Sequence, residues 1–384
     1  MKPRTPWQTL RWVLSLLLLA GLFVELALRA ATAWKEPKGR FTWMLGKNRL
    51  EVLAERDGYR FFTGRKNTTV EFGPMHFEFN NLGYRSRSKE IRPKTGDKFR
   101  VACFGDSVTF GQYDRDFYET WPGAVERLLR DQETSKEIEV INFGMAHYTY
   151  VTSLVNLALI GSYVRPDIVI FLIGPNDFIS LYIKDYAEDG TQDGTWLLPI
   201  TDFVWGFHPV GTLVDRSRVG ALIHGALVKG LLLLHAKAVF TLEPSEEQIR
   251  SRLEIMGRHL ATICALSRSI GAMPVLCTYV YDEARLVQTR GARFPPVLEA
   301  IDETIRTAAG REQAVLVEAN SRMKTHPEYF RDDFHLSPKG SEVFARCVVE
   351  SLAGRGLLPQ AGAPTPTESV RPPEKTSPGR GGHP

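Results

Sequence analysis

Cysteine is scarce in this chain, with 4 residues in 384, and none pairs with another at the spacing of a zinc or redox site. The sequence also lacks a glycine-rich phosphate loop, a dinucleotide fingerprint and a His/Cys metal-ligand cluster. We therefore expect neither a metal ion nor another cofactor. The formal net charge is only +4, and no basic stripe is interleaved with aromatic residues, so nucleic acid is not an expected partner.

The four cysteines show no pattern that predicts a disulfide. They are widely spaced, and both Cys103 and Cys277 lie within apolar, strand-like runs. Small buried hydrophobic side chains are the interpretation that fits these two positions.

The first 34 residues predict a membrane segment. Basic residues precede the apolar run 12–28, which is at the short edge of a membrane span. Ala33 would satisfy a small-x-small cleavage rule, so a cleaved signal peptide competes with a retained anchor. Because Glu25 and Arg29 separate the apolar core from that site, we expect residues 1–34 to be a retained single-pass anchor. The short basic start favours a catalytic domain outside the cytoplasm, although basic residues flank both sides of the span.

An apolar run at 101–104 ends in a Gly-Asp-Ser turn that places Ser107 at the start of a helix. Such a turn suits a nucleophile, because a helix N-terminus favours the negative charge that develops during acyl transfer. The alternative is an ordinary turn with an N-cap.

A second apolar run, 168–173, is followed closely by Asn176. The side-chain amide of Asn176 either reaches a reacting carbonyl oxygen or belongs to an ordinary turn that ends the strand. Near the end of the chain, Asp332 precedes His335 by three residues, just before a helix predicted over about 338–352. One turn of chain brings that carboxylate to the imidazole ring and fixes its tautomer. Asp333 is interpreted as solvated or structural.

Taken in this order, these three segments resemble the SGNH (GDSL) hydrolase superfamily over residues 98–177 and 273–352, in the manner of a membrane-anchored bacterial member. The resemblance implies Ser107 as the nucleophile, His335 as the general base and acid, and Asp332 as the residue that orients His335. It also implies an oxyanion hole made by the Ser107 backbone N–H, a backbone N–H of a second block, and the Asn176 side chain.

The second block, 140–147, departs from the superfamily pattern of Asn-x-Gly-x-x-Gly. His147 stands where the last glycine usually lies, and its backbone N–H is the expected donor, with Gly144 as a second candidate. A backbone N–H does not need glycine to donate, but an imidazole ring there narrows or re-aims the pocket. The His147 ring is therefore interpreted either as a substrate contact or as a packed or solvated side chain.

Strands alternate with helices along residues 98–356, which predicts an α/β fold. We expect a three-layer α/β/α sandwich with a central parallel sheet, and the resemblance implies the flavodoxin-like arrangement of SGNH hydrolases. An extension of short strands and turns is expected over 35–97, with a turn at 80–85 that packs it onto the core or forms a rim of the site. The insertion at about 181–242 contains an apolar segment, interpreted as packed on the domain surface, as covering the active site, or as touching the membrane interface. The Pro/Gly-rich tail 357–384 is expected to be disordered.

Superfamily habit and location predict an SGNH-type serine esterase that acts on a small-molecule or carbohydrate ester, with acetylated envelope or extracellular carbohydrate first among the substrates. Three alternatives stay open at this point. They are an O-acyltransferase that uses the same site, a lipid esterase, and an envelope-binding protein with a decayed hydrolase fold. Only His147 favours the last, whereas the retention of Ser107, Asn176, Asp332 and His335 argues against it.

Overall fold

The computed structural model of the chain describes residues 5–33, 53–72, 75–132, 136–184, 186, 217–241 and 243–359. The tail that we expect to be disordered lies outside the described residues from 360 onward, as does much of the insertion, 187–216.

The N-terminal region consists of one long helix followed by two small hairpins. Helix α1 (Pro6–Ala33) is the one described helix that is long and apolar enough to cross a membrane, and none of its apolar window is buried against the rest of the protein. The extension then forms two antiparallel pairs: β1 (Ala54–Asp57) with β2 (Phe61–Gly64), and β3 (Thr69–Phe72) with β4 (Met75–Glu78).

The core of the protein is a six-stranded sheet. Its strands are β5 (Arg85–Ser86), β6 (Lys98–Phe104), β7 (Glu137–Asn142), β8 (Ile168–Leu172), β9 (Met273–Cys277) and β10 (Val315–Val317). They lie in the order β10-β9-β8-β6-β7-β5. Five strands are parallel, as predicted, and β5 adds an antiparallel edge to β7, so the sheet is mixed. That edge strand comes from the extension.

Helices cover both faces of this sheet because side chains alternate along its buried strands. On β6, Ala102 and Phe104 pack with α7 (Glu246–Ser269) and α9 (Phe294–Arg311), whereas Val101 and Cys103 pack with α3 (Trp121–Arg130) and α11 (Pro338–Ala353) on the opposite face. The predicted three-layer sandwich is confirmed. The helices after α1 are α2 (Ser107–Phe110), α3 (Trp121–Arg130), α4 (Tyr150–Val164), α5 (Pro175–Ser180), α6 (Arg218–Val239), α7 (Glu246–Ser269), α8 (Glu283–Arg290), α9 (Phe294–Arg311), α10 (Asn320–Met323) and α11 (Pro338–Ala353). All four cysteines are buried thiols.

Arg85 joins the extension to the core directly under α2. The side chain is fully buried, and its Nη1 donates to the carbonyl oxygens of Phe110 at 2.8 Å and Gly111 at 3.0 Å. Its guanidinium lies over the Phe77 and Phe110 rings, 5.1 and 5.4 Å from their centroids. Burial lowers the pKa of Arg85 to about 10, against the opposing charge of Asp114. The extension therefore holds the end of the helix on which Ser107 lies.

Replacing Arg85 by methionine tests this joint. Arg85→Met keeps the apolar contact with the two rings but leaves the carbonyls at the end of α2 without their donor. We expect the free energy of unfolding to fall by about 1–3 kcal/mol, the usual cost of unpaired buried polar groups. Denaturant unfolding of the full chain measures it, with the exposed Arg87→Met as the control. Equal midpoints for the two variants would contradict the assignment.

Candidate active site

Ser107 is positioned by the abrupt end of β6. Gly105 has φ 155°, and a Cβ there would lie 2.2 Å from Thr109 Oγ1 and 2.7 Å from the Leu172 carbonyl oxygen, so only glycine fits without a shift. The Asp106 carboxylate then caps α2 by accepting the Val108 N–H at 2.9 Å. Ser107 is the first residue of α2, which places its hydroxyl at the carboxyl edge of the sheet.

Ser107, His335 and Asp332 form a continuous hydrogen-bonded series. Ser107 Oγ lies 2.9 Å from His335 Nε2, and His335 Nδ1 lies 2.9 and 2.8 Å from the two Asp332 oxygens. The His335 backbone N–H also donates to Asp332 Oδ1 at 2.8 Å. Burial raises the pKa of Asp332, but the hydrogen bonds and charge of His335 outweigh it and lower this pKa to about 2. An ionised Asp332 therefore holds Nδ1 protonated and leaves Nε2 as the acceptor facing Ser107.

These residues open onto a cavity of about 280 Å³. The predicted residues Ser107, His147, Asn176, Asp332 and His335 all line it, so the structure brings four separate segments of the chain together. The remaining lining residues are Gln112, Ala146, Pro175, Ile179, Arg290, Asp333 and Phe334.

Gly144, the second candidate for an oxyanion donor, does not line this cavity. Its N–H already donates to Asn142 Oδ1 at 2.9 Å. A Cβ at this position would lie 2.5 Å from the Phe110 backbone nitrogen. Gly144 lets the second block approach α2 closely, and its N–H is engaged by Asn142, so the His147 N–H is the donor of this block that we propose for the oxyanion hole.

His147 adopts the backbone conformation that glycine usually supplies at this point of the superfamily pattern. Its φ is 67°, in the left-handed region, where a non-glycine residue pays roughly 1–2 kcal/mol for its Cβ. The side chain is half-buried at the cavity wall. The backbone path of the family turn is thus kept although the residue differs.

Asn176 is oriented by the Asp106 carboxylate. Asp106 Oδ2 accepts the Asn176 backbone N–H at 3.3 Å and its side-chain Nδ2 at 3.0 Å. The second hydrogen on Asn176 Nδ2 is left to donate to a group bound in the cavity. Gly174 permits this approach, because a Cβ there would lie 2.2 Å from the Asp106 carboxylate. Burial raises the pKa of Asp106 to about 6, although the Val108 and Asn176 donors and His335 oppose the shift.

The sequence analysis missed two polar side chains of the cavity. Gln112 Nε2 lies 2.8 Å from His335 Nε2, so it shares this acceptor with Ser107. Arg290 donates from Nε to Asp333 Oδ2 at 2.9 Å, and its guanidinium lies over the Phe334 ring. Gln112 follows directly after α2, which is a weak positional signal. Arg290 lies in a region without a motif, and only the fold brings it to the site. Of the two interpretations of Asp333, solvated or structural, the structural one applies, because its carboxylate accepts hydrogen bonds from Thr289 and Arg290.

Truncation of Asn176 should lower turnover with little change in substrate binding. We expect Asn176→Ala to reduce kcat by roughly 10²–10³-fold, which is the usual effect of removing one oxyanion donor. Asp106→Asn should give a smaller loss, because it retains one acceptor oxygen for the Asn176 amide. Steady-state hydrolysis of p-nitrophenyl acetate measures both. Wild-type kcat in Asn176→Ala would refute the assignment of the amide to the oxyanion hole.

Two substitutions of His147 distinguish the role of its backbone N–H from that of its imidazole ring. His147→Gly and His147→Ala both remove the imidazole and keep the N–H, but only glycine relieves the left-handed strain. We expect both variants to retain kcat for p-nitrophenyl acetate, and His147→Gly to be more stable than His147→Ala by about 1 kcal/mol. A large loss of kcat in both variants would instead assign the ring to the chemistry.

The chain matches a protein-family model and is similar to several solved structures. A search of the curated proteins gave no match. A lipase/acylhydrolase from Enterococcus faecalis is similar at 17% identity and a TM-score of 0.41, over 67% of this chain and 96% of that chain. A putative GDSL-like lipase from Parabacteroides merdae is similar at 13% identity and a TM-score of 0.43, over 68% of this chain and 99% of that chain. A catalytic mutant of an acetylxylan esterase from Geobacillus stearothermophilus is similar at 15% identity and a TM-score of 0.39, over 67% of this chain and 96% of that chain. The model of the GDSL-like lipase/acylhydrolase family matches residues 103–343, well over half of the chain. The chain therefore belongs to the GDSL-like lipase/acylhydrolase family and is an SGNH-type ester hydrolase.

Proposed function

We propose that this chain is a serine esterase that is retained in the membrane by α1 and removes a small acyl group from an O-acylated carbohydrate outside the cytoplasm. The observation that carries the proposal is the series Ser107 Oγ, His335 Nε2 and Asp332, joined at 2.8–2.9 Å at the wall of a small cavity.

Acylation begins when His335 Nε2 takes the proton of Ser107 Oγ. The oxygen attacks the acyl carbon, and the carbonyl oxygen becomes an oxyanion that accepts hydrogen bonds from the backbone N–H groups of Ser107 and His147 and from the Asn176 amide. The tetrahedral intermediate then collapses. His335 returns its proton to the departing alcohol oxygen, which leaves the acyl group on Ser107.

Deacylation repeats these steps with water as the nucleophile. His335 takes a proton from water, the hydroxide attacks the acyl-enzyme, and the proton passes to Ser107 Oγ as the acid leaves. Asp332 stays ionised in both halves, because the pKa lowered to about 2 keeps it charged wherever His335 acts as a base. Its charge stabilises the imidazolium form of His335 in each half.

The cavity supports a small acyl group attached to a polar alcohol. Its volume is about 280 Å³, and most of its lining side chains carry hydrogen-bonding groups. The apolar contribution comes from Ala146, Pro175, Ile179 and Phe334, and the volume favours a short acyl chain over a long one. Gln112 and Arg290 supply donors of the kind that sugar hydroxyl and carbonyl oxygens accept.

The contact between α1 and α6 supports retention of the N-terminal segment. Glu25 of α1 accepts hydrogen bonds from Ser217 Oγ and from the backbone N–H groups of Arg218 and Val219, which begin α6. Cleavage after Ala33 would remove the residue that satisfies these donors. A retained anchor keeps them paired.

Chain-length preference tests the proposal. Purified full-length protein in detergent is assayed on p-nitrophenyl acetate, butyrate and octanoate. We expect kcat/KM to fall from acetate to octanoate, because a cavity of this size holds few methylene groups. Release of acetate from an acetylated polysaccharide is measured in parallel.

Four variants serve as controls. Ser107→Ala and His335→Ala should abolish turnover, and Asp332→Asn should lower it by roughly 10⁴-fold, as in other triads. The adjacent Asp333→Asn should retain the chemistry, since Asp333 binds Thr289 and Arg290 rather than His335. A preference for octanoate would point to a lipid ester, and a burst without turnover to an acyltransferase. Activity indifferent to Ser107→Ala would overturn the site.

A further inference from the structure

We infer that α6 is an interfacial membrane helix: it starts against the anchor helix at Glu25 and lies with its exposed leucines in the lipid surface. The inference rests on the retained anchor of the proposed function and adds a second element that binds the bilayer. The partner is the lipid surface itself.

Glu25 explains where α6 begins. A carboxylate within an apolar helix is costly in lipid unless it is paired. Here its two oxygens accept three donors from the start of α6, at 2.9 to 3.0 Å, and Arg29 Nε at 2.6 Å. Glu25 thus accepts hydrogen bonds from N–H groups at the start of α6 that have no partner within that helix, and these donors stabilise the charge of Glu25.

The length of α1 before Glu25 sets the depth of this contact. At 1.5 Å per residue, residues 6–24 extend for roughly 28 Å, which is close to the ~30 Å hydrocarbon thickness of a bilayer. Glu25, Arg29 and Arg218 then lie together at the membrane–water boundary, where charged side chains are tolerated. The start of α6 is therefore at the interface rather than in the bilayer core.

The described side chains of α6 expose an apolar surface next to the anchor. Six large side chains of this helix are 39–68% exposed: Leu222, Ile223, Leu227, Leu231, Leu233 and Leu234. At 100° per residue they fall on one half of the helix. The start of this helix contacts α1, whose own exposed leucines the bilayer covers in an anchored protein. The same lipid covers both surfaces.

The far end of α6 is fixed beside the active site. Lys184 N donates to the Val239 carbonyl oxygen at 2.7 Å, and Thr241 N donates to the Tyr182 carbonyl oxygen at 2.8 Å. Tyr182 lies just after α5, which carries Asn176 and Ile179 of the cavity. An interfacial α6 therefore holds the cavity close to the membrane surface.

Depth-dependent fluorescence quenching tests the inference. Full-length variants with one added cysteine are labelled with bimane and reconstituted into vesicles of phosphatidylethanolamine and phosphatidylglycerol. Leu227→Cys and Leu234→Cys report on α6, Leu18→Cys on the anchor, and Tyr118→Cys on the exposed surface of the catalytic domain. The unaltered chain is the labelling control, because its four cysteines are buried.

We expect lipids with a doxyl group near the headgroup to quench the labels at 227 and 234 roughly twofold, since an interfacial helix buries its apolar face about 5–10 Å into the bilayer boundary. The label at 18 should respond to deeply placed doxyl groups, and the label at 118 only to aqueous iodide. Quenching of the α6 labels by iodide alone would overturn the inference. Protection from both quenchers would overturn it in favour of a second copy of the chain.

Two measurements on the same vesicles keep this result separate from the proposed function. Intact mass shows whether α1 is retained, and p-nitrophenyl acetate hydrolysis shows whether the esterase is active. An active, anchored protein with water-exposed α6 labels would refute only the interfacial helix. Loss of α1 by cleavage would refute the anchor and this inference together, whereas an inactive protein with lipid-quenched α6 labels would refute the esterase alone.

Discussion

The Asp106 carboxylate connects the residues that follow two strands, β6 and β8, and fixes them relative to each other. It caps α2 at the end of β6 and accepts both N–H groups of Asn176 after the end of β8. Because a buried carboxylate is costly to leave unpaired, these donors and the bare Cα of Gly174 must be in place together. Ser107 and Asn176 are therefore fixed relative to each other before any substrate binds. Pre-organised donors of this kind need no rearrangement when charge develops.

A second constraint acts on the other side of Ser107. The residues after β7 follow a tight path under α2, where Gly144 avoids a clash with Phe110 and His147 takes the left-handed conformation. Arg85 holds the opposite end of α2 through its two terminal carbonyl groups. Helix α2 is thus fixed by Asp106 at its start, by Arg85 at its end, and by the second block, which packs against it. Its four residues form too few internal hydrogen bonds to fix its direction alone.

The sequence predicted the elements that rest on local patterns. The apolar runs that became β6 and β8 were recognisable because a strand that is buried on both faces is apolar at nearly every position. Ser107 and Asn176 were predicted to meet because both follow strands, and the family resemblance added Asp332 and His335 to the same site. The structure places all four at one cavity.

What the sequence did not reveal depends on contacts between distant residues. Arg290 reaches the cavity only because α8 packs beside the loop that carries Asp333. The antiparallel edge strand β5 has only two residues, too few for an alternating pattern, and pairing with β7 defines it. Which backbone N–H of the second block is available as a donor, that of Gly144 or that of His147, likewise depends on a long-range contact, the close approach of the second block to α2.

The position of Glu25 in the sequence has a physical reason that connects the anchor to the chemistry. A charge at that point weakens α1 as a membrane span unless a partner helix supplies donors, and α6 does so. The other end of α6 is hydrogen-bonded to the segment that follows α5, so in the interfacial arrangement that we propose this helix would join the membrane surface to the wall of the cavity. An esterase held in this way would meet substrates fixed near the membrane at a high effective concentration, and dissolved polymers only by diffusion. That bias follows from the attachment of α6 and does not depend on the identity of the acyl group.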